Sequence, residues 1–295
     1  MPTATISPTF VQDFRAWRLQ SGHAFALVSA QGAQVLEYGF AGEPSIIWNN
    51  PHANFTRGQP IRGGVPICWP WFTTLDSNPQ PVRNDWPGAN QPFHGLVRQV
   101  DWSPEHLHTT ARNARLTLRA PVDTHGLTAR LHITLEQAAL ELRLEISNAG
   151  PRAITMAAAL HSYYAVSDVR DVMLHGFAGA DYQDNLLDRA VFRQTCEPRI
   201  SGLIERMYQG LGKRLVIEDV AWQRRIVMEP RNSHSAVLWN PGEERAASLD
   251  QFDPQAWPGM LCIETSRVLD DMLTVESGGQ ADMGVRISRE MLGTD

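Results

Sequence analysis

Leu140-Glu141-Leu142-Arg143-Leu144-Glu145-Ile146-Ser147 decides the fold class. Apolar and polar side chains alternate over eight positions, which gives a strand one apolar and one polar face. Asn148-Ala149-Gly150-Pro151 follows as a turn. Residues 154–160 then read as a more buried strand. Upstream, Arg115-Leu116-Thr117-Leu118-Arg119 and residues 129–136 alternate in the same way. Three or four such strands in succession suggest an antiparallel meander.

The same reading extends outward. Residues 24–29 and 33–38 flank Ala30-Gln31-Gly32 as a hairpin. Residues 215–217, 225–228 and 236–239 read as strands, and residues 285–288 as a closing strand. Only residues 254–260 offer a short helix or turn, and Pro258 limits it. No repeat, low-complexity linker or long 3.6-residue period appears. The 19 prolines and 22 glycines suit many turns. The expectation is an all-β fold, one domain over residues 1–295, built from packed antiparallel sheets.

Composition narrows the function classes. Hydrophobic residues at 43% and charged residues at 20% predict a globular chain in water. The formal charge of −6 argues against nucleic acid or an anionic membrane as main partner. A local arginine cluster can still bind a small anion. No run of about 18 apolar residues offers a membrane span. Cys68, Cys196 and Cys262 are odd in number, far apart and lack metal-ligand spacing. They read as reduced core thiols of a cytoplasmic protein. The first eight residues carry no signal-peptide pattern. With no exposed apolar stripe, a monomer is expected.

Residues 49–101 depart from a plain sandwich. They hold Pro51, Pro60, Pro66, Pro70, Pro79, Pro81, Pro87 and Pro92, yet are too apolar for disorder. Long ordered loops on a rigid sheet commonly carry function. In Ile61-Arg62-Gly63-Gly64-Val65-Pro66-Ile67-Cys68-Trp69-Pro70-Trp71-Phe72, the glycine pair would let backbone approach a ligand. Arg62 could hold an anion, and Trp69, Trp71 and Phe72 an apolar wall; the bland alternative is a tight turn into an aromatic core. Pro92-Phe93-His94-Gly95-Leu96-Val97-Arg98 offers an imidazole and a guanidinium on one side if extended. Arg98 and Arg62 could clamp a phosphate, or Arg98 could be a surface ion-pair residue. Glu205 could accept from sugar hydroxyls or simply be solvated. Tyr182-Gln183-Asp184 reads as a structural loop. His106 and His108 alternate without a third ligand, so no metal site is expected.

His161, in Ala157-Ala158-Ala159-Leu160-His161-Ser162-Tyr163-Tyr164, and Glu264, in Leu261-Cys262-Ile263-Glu264-Thr265-Ser266, are titratable groups in apolar strand-like runs. Burial should raise the carboxyl pKa and lower the imidazole pKa. Facing one cavity, they would form an acid/base pair; apart, each would be a structural residue. No nucleophile elbow, Walker loop or dinucleotide fingerprint competes.

Together these runs, with Glu205-Arg206-Met207-Tyr208 and Val237-Leu238-Trp239-Asn240-Pro241, resemble the hexose-6-phosphate mutarotases of the aldose 1-epimerase superfamily from about Phe25 to Arg289. The resemblance implies a large antiparallel β-supersandwich with an open cleft. It implies interconversion of the α and β anomers of a hexose 6-phosphate, such as glucose 6-phosphate, without metal or organic cofactor. It assigns His161 as general acid and Glu264 as general base. Arg62, His94, Arg98 and Glu205 would meet the phosphosugar substrate. Two positions depart from the pattern: Phe93 stands where many relatives have a polar amide, and Glu205 where Asp is common. The competing expectations are a mutarotase of unphosphorylated aldoses and a non-catalytic carbohydrate-binding sandwich, which would need no acid/base pair.

Overall fold

The computed structural model describes residues 3–50, 55–88 and 91–293. Pro51 of the proline-rich stretch lies outside them. Among the described residues two eight-stranded antiparallel sheets dominate. The first, which carries the cleft, runs Ala190–Arg193, Asp181–Asp184, Ile204–Gln209, Ser235–Asn240, Met260–Arg267, Ala158–Leu160, Ile67–Cys68, with Tyr163–Ala165 also on Met260–Arg267. The second runs Met173–His175, Leu215–Asp219, Arg224–Arg231, Gln280–Met291, Ala139–Asn148, Leu127–Glu136, Asn113–Arg119, Ser103–Thr109. Its members Ala139–Asn148, Leu127–Glu136 and Asn113–Arg119 are strands of the expected meander, and Ser103–Thr109, a strand not expected from the sequence, extends it.

The alternating pattern positions this second sheet. Leu140, Leu142, Leu144 and Ile146 are buried, while Glu141, Arg143 and Glu145 are half-buried on the other face. Each such aliphatic side chain contributes about 1.5–3 kcal/mol by leaving water. The apolar faces of both large sheets meet in one cluster from Ala4 to Ile287. A four-stranded sheet, Thr5–Val11, Phe14–Ser21, Ala24–Ser29 and Val35–Phe40, joins it.

Several expectations need correction. Residues 154–160 are not one strand. Ile154–Met156 pairs with Leu273–Val275, whereas Ala158–Leu160 enters the cleft sheet. Between them the Ala157 N–H leaves both ladders and donates to the Pro70 carbonyl at 2.9 Å. Tyr182-Gln183-Asp184 lies in a strand rather than a loop, with Arg206 stacked 4.5 Å over the Tyr182 ring. Cys196 is exposed, unlike Cys68 and Cys262. Neighbouring Glu197 caps the N–H groups of Gly176, Phe177 and Ala178, which holds this segment at the surface. Residues 254–260 contain the short 3₁₀ turn Trp257–Gly259. The helices Gln80–Asp85 and Gly242–Ala246 had no periodic signal because each spans under two turns. No helix among the described residues is long and apolar enough to cross a membrane.

Candidate active site

His161 occupies a break in the cleft sheet. Ala158–Leu160 and Tyr163–Ala165 both pair with Met260–Arg267, in register Leu160 to Thr265 and Tyr163 to Cys262. His161 and Ser162 therefore interrupt the ladder opposite Ile263 and Glu264. The Ser162 N–H turns back to the Leu160 carbonyl at 2.8 Å, and the Ile61–Phe72 run satisfies the donors on either side of it. The His161 N–H reaches the Pro66 carbonyl at 2.9 Å, and the Tyr163 N–H the Gly64 carbonyl at 3.0 Å. On the other side Glu264 pairs in register with Val237.

The result is a buried imidazole–carboxyl pair, with His161 Nε2 and Glu264 Oε1 3.4 Å apart. Glu264 is 1% exposed and His161 7%. Burial pushes the Glu264 pKa well above the ordinary carboxylate value, against the nearby Arg98 charge. Burial, followed by Arg98, pushes that of His161 well below the ordinary imidazole value. Both groups thus favour their neutral forms in the open cleft. Glu264 Oε2 and His161 Nδ1 have no hydrogen-bond partner among the described residues. Aromatic rings hold the imidazole in place: Tyr163 stacks on it and Trp239 meets it edge-on.

The pair lies in a cavity of about 180 Å³. That is below the roughly 300–1,000 Å³ of sites for drug-sized ligands and suits a compact one. Arg62, His94, Arg98 and Glu205 all line it, so the residues suggested separately by the sequence do converge. Arg98 is 9% exposed and its Nε has no partner among the described residues. Arg62 donates its Nε to the Asp250 carbonyl at 2.6 Å. Glu205 accepts from Asn185 Nδ2 at 3.0 Å. His94 accepts the Thr73 N–H at Nδ1, 3.1 Å, and burial holds it uncharged. A larger groove of about 520 Å³ holds Arg143, Glu145 and Asp282. Arg143 is paired there with both carboxylates, at 2.8 and 3.2 Å.

Other expectations are revised here. The Gly63-Gly64 pair serves the protein's own backbone rather than a ligand. Gly64 has φ +67°, and a Cβ there would stand 2.3 Å from the Val35 carbonyl oxygen. Trp69 and Trp71 are buried in the core; Phe72 alone of the three aromatics lines the cavity. His94 and Arg98 are not on an extended segment, since His94 has φ +66° and Gly95 φ +84°. The turn is pinned by the Leu96 N–H on the Trp69 carbonyl, 2.8 Å, and brings both side chains to the cavity. Sequence reasoning missed Arg245, which also lines the cavity. It follows Glu243 and Glu244 and looks like part of a solvated charge run.

His161, Cys262 and Glu264 present ligand atoms within 4.8 Å of one another, a set that could hold a metal ion. The chemistry does not favour it. The positive Arg98 lines the same cavity.

The fold is a large antiparallel β-supersandwich of the galactose-mutarotase type. The family model for aldose 1-epimerase matches residues 15–288, and the chain belongs to that family. It is an epimerase of mutarotase type, an isomerase acting on a sugar. Among its relatives, a protein of Escherichia coli (strain K12), provisionally named glucose-6-phosphate 1-epimerase, is 27% identical over 90% of this chain and 87% of its own. A Haemophilus influenzae protein with the same provisional name is 25% identical over 84% and 79%. The crystal structure of a provisionally described mutarotase from Salmonella typhimurium superimposes with a TM-score of 0.85 at 21% identity, covering 97% of this chain and 94% of that one. Galactose 1-epimerase from Lactobacillus acidophilus NCFM has a TM-score of 0.73 at 13% identity, covering 98% and 99%, so it shares the fold.

Proposed function

We propose that the protein interconverts the α and β anomers of a hexose 6-phosphate, glucose 6-phosphate foremost, with His161 and Glu264 as its acid/base pair. The observation that carries this reading is the 3.4 Å pair beneath a cavity lined by Arg62, Arg98 and Arg245. Three guanidinium groups in one small cleft of a chain with net charge −6 favour an anionic sugar. The names of the bacterial relatives agree with it. The reading takes residues 1–295 as one domain, supported by the main apolar cluster, which draws on residues from Ala4 to Ile287.

Glu264 takes the proton of the O1 hydroxyl as the C1–O5 bond breaks. The bond's electron pair goes to O5, which takes a proton from His161. The open-chain aldehyde rotates about C1–C2 and presents its other face. Reclosure returns each proton to its donor, so the pair ends as it began. Each proton transfer contributes about 10²–10⁴ in rate. The working imidazolium–carboxylate differs from the neutral pair by one proton moved between two adjacent groups. A phosphate dianion on Arg98 and Arg62 offsets the charges that disfavour the imidazolium. Arg62, Arg98, His94 and Glu205 position the sugar.

The test is NMR exchange spectroscopy on equilibrated glucose 6-phosphate with wild type, His161→Ala and Glu264→Gln. Wild type should accelerate α/β exchange and both variants should lose it. Acceleration of free glucose or galactose alone would replace the phosphosugar by an unphosphorylated aldose. No acceleration of any sugar would leave a binding protein.

A further inference from the structure

The cleft has a third wall that the acid/base pair does not explain. Helix Gly242–Ala246 and the residues after it contribute Arg245 and Leu249 to the cavity lining. The same segment supplies the Asp250 carbonyl that orients Arg62. Its root is rigid. Asn240 accepts the Gly242 N–H at 2.8 Å and donates to the carbonyls of Trp257 and Met260 at 3.0 and 2.8 Å. Gly242 has φ +60°, and a Cβ there would lie 2.4 Å from the Leu203 nitrogen, so the helix is seated hard against residues 202 and 203.

At its tip the segment is poised rather than locked. The Arg245 side chain is 48% exposed, and Arg245 Nη1 stands 3.9 Å from Glu205 Oε2. That distance is an ionic approach but too long for a hydrogen bond. Glu205 is held from its other side by Asn185. A partly exposed pair at this distance contributes little and is readily exchanged for a better partner.

We infer that Arg245 is a specificity-determining residue: Glu205 holds it over the cleft mouth until it exchanges that carboxylate for the substrate's phosphate. The exchange also releases Glu205 Oε2 to accept from a sugar hydroxyl, so anion binding and sugar binding are coupled through one ion pair. This inference rests on the phosphosugar reading. It assigns the anion site to three arginines on three segments: Arg62, Arg98 and Arg245. The longer reach of Glu205 over Asp has a use here, because it spans from Asn185 to Arg245.

The test compares kcat/KM for glucose 6-phosphate and for free glucose, and the competitive inhibition constant of inorganic phosphate, in wild type, Arg245→Ala, Arg245→Lys and Glu205→Gln. Losing one charge-assisted contact should cut the preference for the phosphosugar by about 10–100-fold in Arg245→Ala, mainly through KM. Arg245→Lys should recover part of it. Glu205→Gln should bind inorganic phosphate more tightly than wild type, which a merely structural Glu205 would not produce. An unchanged preference in Arg245→Ala, with wild type preferring the phosphosugar, overturns the role of Arg245 and leaves the phosphosugar reading standing. A wild type without preference for the phosphosugar overturns both. Unchanged or weaker phosphate binding in Glu205→Gln overturns the exchange.

Discussion

His161 and Tyr163 stack with their rings 7° from parallel and 4.9 Å apart at the centroids. They are neighbours on one face, two residues apart, and Trp239 meets both edge-on. The stack holds the imidazole plane towards Glu264 and keeps water from one side of it. In Tyr163→Leu the ring gains freedom. We predict that kcat for α/β exchange falls by about tenfold with little change in KM. A rise in KM alone would show that Tyr163 touches the sugar rather than the imidazole.

The rate should be bell-shaped in pH, with limits that belong to the pair rather than to either residue. The working state holds one proton on the pair. Burial lowers the imidazole step and raises the carboxyl step, so the pair takes its second proton only in acid and surrenders its last above the ordinary carboxylate range. The acid limb should therefore lie below the usual imidazole value and the alkaline limb above the usual carboxylate value. An acid limb at the value of a free histidine would contradict this.

Arg98 acts on both members of the pair and lowers both. In Arg98→Met, which keeps an unbranched apolar stem without the charge, both limbs of the profile should move to higher pH. The KM for glucose 6-phosphate should rise by about 10–100-fold. Steady-state exchange rates across pH would show either shift. A higher KM with an unmoved profile would separate the anion site from the pair.

Glu264 costs stability where it works. Its native pKa is raised above the unfolded value, so above the ordinary carboxylate range the native state binds more protons than the unfolded one. Stability then falls as pH rises through that interval. Glu264→Gln removes the titration. At neutral pH the variant should be inactive yet melt about 2–4 °C higher than wild type, with the difference vanishing in acid. Calorimetric melting at two pH values measures this. A gain that persists in acid would point to packing instead.

Strands that face solvent on one side were legible because each residue reports its own face, as Leu140 to Ile146 do. Thr5–Val11 was not: it is mostly exposed on both faces, so no alternation marks it. The break between Met156 and Ala158 was hidden as well, because the run is apolar on both sides of it and only the Pro70 carbonyl, distant in sequence, redirects it. The convergence of Arg62, His94, Arg98 and Glu205 could be suspected from residue type. Arg245 could not, since a charged short helix reads the same whether it faces a cleft or water. The glycine pair left two readings open, because a left-handed backbone serves a ligand and a neighbouring strand equally well; Gly64, packed on the Val35 carbonyl, follows the tight turn.

The interrupted ladder at His161 separates what can drift from what cannot. His161 and Glu264 hang on strand register, and slipping Met260–Arg267 by one residue would carry Glu264 to the opposite face and bring Ile263 in its place. Insertions and deletions in that strand would be lethal to the chemistry. Arg62, Arg98 and Arg245 instead stand on loops and a short helix, outside that ladder. On the proposed mechanism, a descendant of this chain could thus exchange one sugar for another by rewriting its rim, while inheriting the His161–Glu264 pair untouched.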